Sequence, residues 1–124
     1  MAKILVVEDN PANIKLAEFL LGKAGYEVLT AADAARGIEL ARQHLPDLVL
    51  MDVQLPGMDG LTATKLLKAD AQTAGLTIIA LTAFAMKGDE EKMLAAGCDG
   101  YIAKPFQYQA FIARVEAALK ARQR

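Results

Sequence analysis

Five residues able to do chemistry lie at the ends of apolar runs: Glu8 and Asp9 after ILVV, Asp52 after LVLM, Thr82 after IIAL, and Lys104 after YIA. Gathered on one rim, three carboxylates, a hydroxyl and a lysine suit a definite task. Carboxylates about 5 Å apart repel by roughly 3 kcal/mol at an effective dielectric near 20, so the acids call for a cation. An all-oxygen set with room for water suits magnesium, which takes one or two protein carboxylates and completes its shell with water and phosphate oxygens. Calcium wants a fuller oxygen cage and zinc wants histidine or cysteine, and neither pattern is present. A carboxylate in such a site can attack phosphorus if lysine, hydroxyl and metal share the charge of the transferring oxygens. Taken singly, each residue has a duller explanation: strand-end Asp and Thr cap helices, and a lysine beside proline is commonly solvated. Only the set carries the argument.

Those residues need a frame that delivers strand ends to one place. Near-continuous apolar runs occur at 3–8 (KILVVE), 26–30 (YEVLT), 47–52 (DLVLMD), 76–82 (LTIIALT) and 99–103 (DGYIA), the pattern of strands covered on both faces. Helical patterns lie between them. Asn10 followed by Pro11 supplies an N-cap and a first helical position, and Gly25 closes that segment. At a 3.6-residue period Asn13, Leu16, Ala17, Leu20, Leu21 and Ala24 fall on one face, which should meet the sheet. Segments 33–44, 60–70, 88–96 and 108–122 repeat the theme, the last burying Phe111, Val115 and Leu119. Strand and helix alternate five times, which predicts an α/β fold: a parallel sheet with helices on both faces and right-handed crossovers. In such sheets ligands sit outside the carboxyl ends of the strands, where the five polar residues fall.

Composition excludes several functions. A chain of 124 residues suits one domain, and no apolar stretch approaches the roughly 20 residues of a membrane span. Lys and Arg total 14 against 15 for Asp and Glu, so a net charge of −1 offers no general attraction to nucleic acid. The basic residues Lys120, Arg122 and Arg124 read as cations at a helix carboxyl end. Cys98 is the only cysteine, which excludes an internal disulfide, and no export signal is visible, so a cytoplasmic protein is expected. His44, before Pro46, is assigned no role.

Four spaced motifs, VVEDN, LVLMDVQLPGMDG, LTAF and YIAKPF, succeed one another over essentially the whole chain. In these the sequence resembles the CheY-like receiver domains of bacterial two-component response regulators. The resemblance implies a flavodoxin-like (βα)5 fold with strand order 2-1-3-4-5. It implies a stand-alone receiver over 1–124 without an output domain, a phosphoprotein that takes a phosphoryl group onto Asp52 and is not a turnover enzyme. Asp9 would be a direct magnesium ligand, Glu8 a ligand mainly through water, and the backbone carbonyl of Gln54 would complete the protein share, with manganese able to substitute. Thr82, the Ala83 amide and Lys104 would hold the phosphoryl oxygens. Pro105 resembles a proline preceded by a cis peptide. Thr82 and Tyr101 would form the switch, the aromatic turning inward as the threonine moves toward phosphate. Gln54 and Phe84 occupy positions that tune phosphate lifetime, and a bulky Phe84 should lengthen it.

Partners follow from the same resemblance: a histidine kinase or histidine phosphotransfer protein upstream, and a protein target downstream. Ile14 on the first helix is the expected donor contact. Phe84, Met86, Tyr101, Phe106 and Tyr108 supply apolar surface for output, although some of them could equally be core. The segment TAFAMKGDEE looks closest to cell-cycle regulators of the DivK type and to receivers fused to hybrid kinases. Rival readings are an aspartyl-nucleophile phosphohydrolase, a flavodoxin-like FMN binder and a silent receiver-like scaffold. The first lacks its second Asp, because Asp9 is followed by Asn10 and Pro11; the second lacks a phosphate cradle after the first strand; the intact acidic set argues against the third.

Overall fold

The computed structural model describes residues 2–83 and 87–122. Five strands and five helices alternate: β1 Lys3–Val7, α1 Pro11–Lys23, β2 Glu27–Ala31, α2 Ala34–His44, β3 Leu48–Asp52, α3 Gly60–Ala69, β4 Ile78–Thr82, α4 Lys87–Ala95, β5 Gly100–Ala103 and α5 Tyr108–Arg122. The sheet is parallel with order β2-β1-β3-β4-β5, as the resemblance implied. Every residue of the central strands β3 and β4 is buried, whereas the edge strands β2 and β5 are only partly covered. Continuous apolar runs suit the former because both faces are roofed by helices.

Alternate strand residues feed two cores, following the two-residue period of extended backbone. Leu5, Val7, Val49, Met51 and Ile78 pack under α2 and α3, while Ile4, Val6, Leu48, Leu50, Ile79 and Leu81 meet Leu20 and Leu21 of α1 and Phe111, Val115 and Leu119 of α5. A smaller cluster of Ala80, Met93 and Cys98 joins α4 to the sheet, with Val53, Leu61 and Tyr101 against it.

Two expectations for α1 fail. Leu16 is 38% exposed and Ala24 lies in solvent, leaving Ala17, Leu20 and Leu21 as the buried stripe. Leu16 sits about 100° around the helix from Ala17, on the flank of a narrow contact. Ala24 is the C-cap, beyond the last turn that touches the sheet. Element ends otherwise shift by one or two residues, the largest at β4, which starts at Ile78 because Leu76 is held in a turn by its amide bond to the Thr73 carbonyl. No helix of the described residues is long and apolar enough to cross a membrane.

Candidate functional site

Glu8 follows β1 directly, and its amide extends the ladder by donating to the Ala31 carbonyl at 3.0 Å. The next residues turn away into α1, capped by the Asn10 side chain, which accepts from the Ala12 and Asn13 amides at 2.9 and 3.3 Å. Glu8 is thereby buried at the rim while Asp9 stays exposed beside it. Asp52 closes β3 next door, 3% exposed, because β1 and β3 are paired neighbours. Lys104 follows β5, its amide bonded to the Thr82 carbonyl at 2.7 Å, and the Lys104–Pro105 peptide is cis. Thr82 ends β4, buried, with Ala83 exposed just beyond. The sheet therefore brings Glu8, Asp9, Asp52, Thr82 and Lys104 to the carboxyl edge around β1, β3 and β4.

The contacts are close. Lys104 Nζ donates to Asp52 Oδ2 at 3.0 Å and lies 2.6 Å from Glu8 Oε1. The other Asp52 oxygen accepts the Gln54 amide at 3.0 Å, and Glu8 Oε2 accepts the Asn10 amide at 3.1 Å. Glu8 Oε1 is buried and has no aligned hydrogen-bond donor, so its contact with the ammonium is a charge contact that leaves an oxygen lone pair unspent. Glu8, Asp9 and Asp52 each offer an oxygen, all within 4.8 Å of one another. An orphaned buried carboxylate oxygen in an all-oxygen cluster fits a hard divalent cation such as magnesium.

Electrostatics agree with that fit. Burial, then the neighbouring Glu8, push the Asp52 carboxyl up to about 6 against the pull of Lys104 and the Gln54 amide. Burial also raises Glu8, but the hydrogen bonds from Asp52, Lys104 and Asn10 outweigh it and hold Glu8 below the ordinary carboxylate value. Burial disfavours the Lys104 cation, yet the two carboxylates more than compensate and its pKa rises. Without a cation, the acid pair thus holds a proton up to about pH 6, and a divalent ion would displace it.

The third strand and third helix clamp this geometry. Gly60 opens α3 with its amide bonded to the Val53 carbonyl at 3.0 Å, and Asp59 caps the helix by accepting from Thr62. A Cβ on Gly60 would stand 1.9 Å from the Asp52 carbonyl oxygen, so only glycine lets the helix press against the backbone of the acid. The sequence pattern starts a helix at residue 60 and gives no sign of this approach.

Other candidate residues are dispersed. Ile14 is half-buried on α1, and Phe106 is half-buried with its ring centroid 4.9 Å from that of Phe111, so much of its apolar surface is spent on the core. Tyr108 is 43% exposed at the start of α5, with the Lys23 ammonium 5.3 Å above its ring. Phe84 and Met86 lie outside the described residues. Tyr101 is half-buried on β5, and its hydroxyl donates to the Glu90 carboxylate of α4, a partner the sequence reading missed because Glu90 sits in an ordinary-looking acidic run.

Residues 4–116 match the model of the response regulator receiver domain. The chain is 45% identical over 116 residues to the polar-differentiation response regulator DivK of Brucella anthropi, and equally to that of Brucella ovis, covering 94% of each chain in both comparisons. Among solved structures it resembles a putative response regulator from Chloroflexus aurantiacus, with a TM-score of 0.91, 34% identity and coverage of 96% of this chain and 98% of that one. It also resembles the receiver domain of a sensor histidine kinase from Pseudomonas aeruginosa, at a TM-score of 0.89, 38% identity and the same coverage; that structure carries a magnesium ion coordinated in the active-site cleft. With its fold, its acidic edge and these relatives in agreement, the chain belongs to the response regulator receiver domains of two-component phosphorelay signalling.

Proposed function

We propose that this chain works as a cytoplasmic response regulator. It would accept a phosphoryl group on Asp52 from a histidine kinase or histidine phosphotransfer protein and pass the signal on by protein contact. The observation that carries the reading is Asp52 itself, buried at the end of β3 with Lys104 Nζ at 3.0 Å and the oxygens of Glu8 and Asp9 within 4.8 Å.

An Asp52 carboxylate oxygen attacks phosphorus and forms a P–O bond, while the P–N bond to the donor histidine breaks and its electron pair leaves on the imidazole nitrogen, which takes up a proton. Lys104 is already aimed at the carboxylate and supplies a fixed positive charge for the oxygens of the transferring group. The Thr82 hydroxyl and the Ala83 amide, at the end of β4, supply donors on the other side. A magnesium ion held by Glu8, Asp9, Asp52 and the Gln54 carbonyl would neutralise the acidic cluster and the phosphoryl oxygens. Thr82 and Tyr101 would then carry the change outward, favouring an active state only by as much as phosphate binds it better. Return to the resting state is slow hydrolysis of the acyl phosphate, a single event per cycle and not enzymatic turnover.

Transfer from a purified, phosphorylated histidine phosphotransfer domain tests the reading. Label should leave the donor and appear on the wild-type chain, and Asp52→Ala should take none. Retention of label on every donor tried, or equal labelling of the variant, would refute it.

A further inference from the structure

The α4–β5 contact holds a charged latch on the aromatic residue next to the site. Tyr101 pairs with Ala80 and Ala103 pairs with Thr82, so Thr82 and Tyr101 stand two steps apart along the sheet and face the same side of it. A cavity of about 210 Å3 lies in that layer, lined by Thr82, Gln54, Leu61, Asp89 and Met93 among others. The Tyr101 ring does not fill it. Instead the ring packs on the Ala80, Met93 and Cys98 cluster, with the Arg114 guanidinium 5.9 Å above it, and Arg114 donates to the Tyr101 carbonyl at 2.6 Å. The hydroxyl donates to the half-exposed Glu90 carboxylate in the first turn of α4. A hydrogen bond to an ionised acceptor is stronger than one between neutral groups, and the Glu90 contact also raises the phenol pKa, which keeps the hydroxyl a donor.

We propose that Glu90 is a positioning residue whose carboxylate holds Tyr101 away from the space beside Thr82 and so biases the receiver toward its unphosphorylated state. The inference rests on the reading that Asp52 takes the phosphoryl group and that Thr82 and Tyr101 respond to it. If Tyr101 turns toward Thr82, the hydroxyl must leave Glu90. The bond therefore stabilises one state only, and a contact made in one state shifts the equilibrium by its full net strength. Because apparent affinity for a ligand of the other state scales with the fraction already in that state, weakening the latch should tighten binding of a phosphoryl mimic. No contact to the bound group is needed, because Glu90 acts through the Tyr101 hydroxyl.

Beryllofluoride with magnesium, titrated by NMR shifts of the backbone amides, provides the measurement. Wild type should bind, and Glu90→Ala should bind about threefold to tenfold more tightly, the range set by one net hydrogen bond. Glu90→Gln, whose amide oxygen can still accept the phenol but carries no charge, should fall between wild type and Glu90→Ala. Tyr101→Phe removes the hydroxyl, so Glu90→Ala should have no further effect in that background; this double-mutant cycle separates the latch from a general loosening of α4. Unchanged or weaker binding by Glu90→Ala, or the same gain with and without the hydroxyl, would overturn the latch while leaving the phosphorylation reading intact. Failure of wild type to bind beryllofluoride at all would remove the phosphorylation reading and the latch together.

Discussion

At the scale of single residues, the site stores its own demand for a cation in one carboxyl. The Asp52 carboxyl is held up to about 6, so its contribution to stability is whole below the ordinary 3.8 and is lost as pH climbs through about 6. Glu8 is shifted the opposite way, and its contribution fails only on acidification below the usual 4.5. The metal-free protein should therefore lose thermal stability as pH rises from 5 to 7, and the increase in melting temperature on adding magnesium should grow over the same interval. Calorimetry with and without the ion checks this; a magnesium effect that shrinks as pH rises would contradict it. Asp52→Asn should stabilise the metal-free protein at pH 8 by on the order of 1–3 kcal/mol and should erase most of the magnesium effect, read from the same scans. The five reactive residues were legible because each ends an apolar run and belongs to a known succession of motifs. Glu90 was not, because a carboxylate in an acidic helical turn looks solvated until its neighbour on β5 is known.

Elements hold these residues through close backbone approach and capping. Gly60→Ala should cost about 2–3 kcal/mol in urea unfolding, because the added carbon meets the Asp52 carbonyl at 1.9 Å and neither β3 nor α3 can retreat without disturbing the core. A cost below 0.5 kcal/mol would mean that the α3 start gives way freely. Asn10→Ala should cost about 1 kcal/mol, since its side chain satisfies two amides at the start of α1. Capping and turn chemistry made the start of α1 readable, and Gly25, with a φ of +94°, ends it as the sequence indicated. The width of the buried stripe was not readable. Periodicity places Leu16 on the correct half of the helix, but only packing shows that contact with the sheet stops at Ala17.

For the whole molecule, one sheet shared by two cores means that neither layer can unfold alone. Secondary structure and the environment of the buried side chains should be lost in one urea transition, and Phe111→Ala should move that transition by about 3–5 kcal/mol because Phe111 is a fully buried aromatic of α5 in the core that α1 and α5 share with the sheet. Circular dichroism and the NMR signals of the buried methyl groups followed together check this, and separated midpoints would contradict it. Strand and helix alternation made the layered parallel sheet legible, whereas the order β2-β1-β3-β4-β5 came from resemblance, since apolar runs state that strands are central without saying which strand lies beside which. That order places Asp52 beside Glu8, on which the central claim depends. Intact mass after treatment with acetyl phosphate tests that claim most directly. The account predicts one phosphoryl adduct on the wild-type chain with magnesium, none after chelation and none on Asp52→Ala; an adduct that survives chelation or persists on the variant would contradict it.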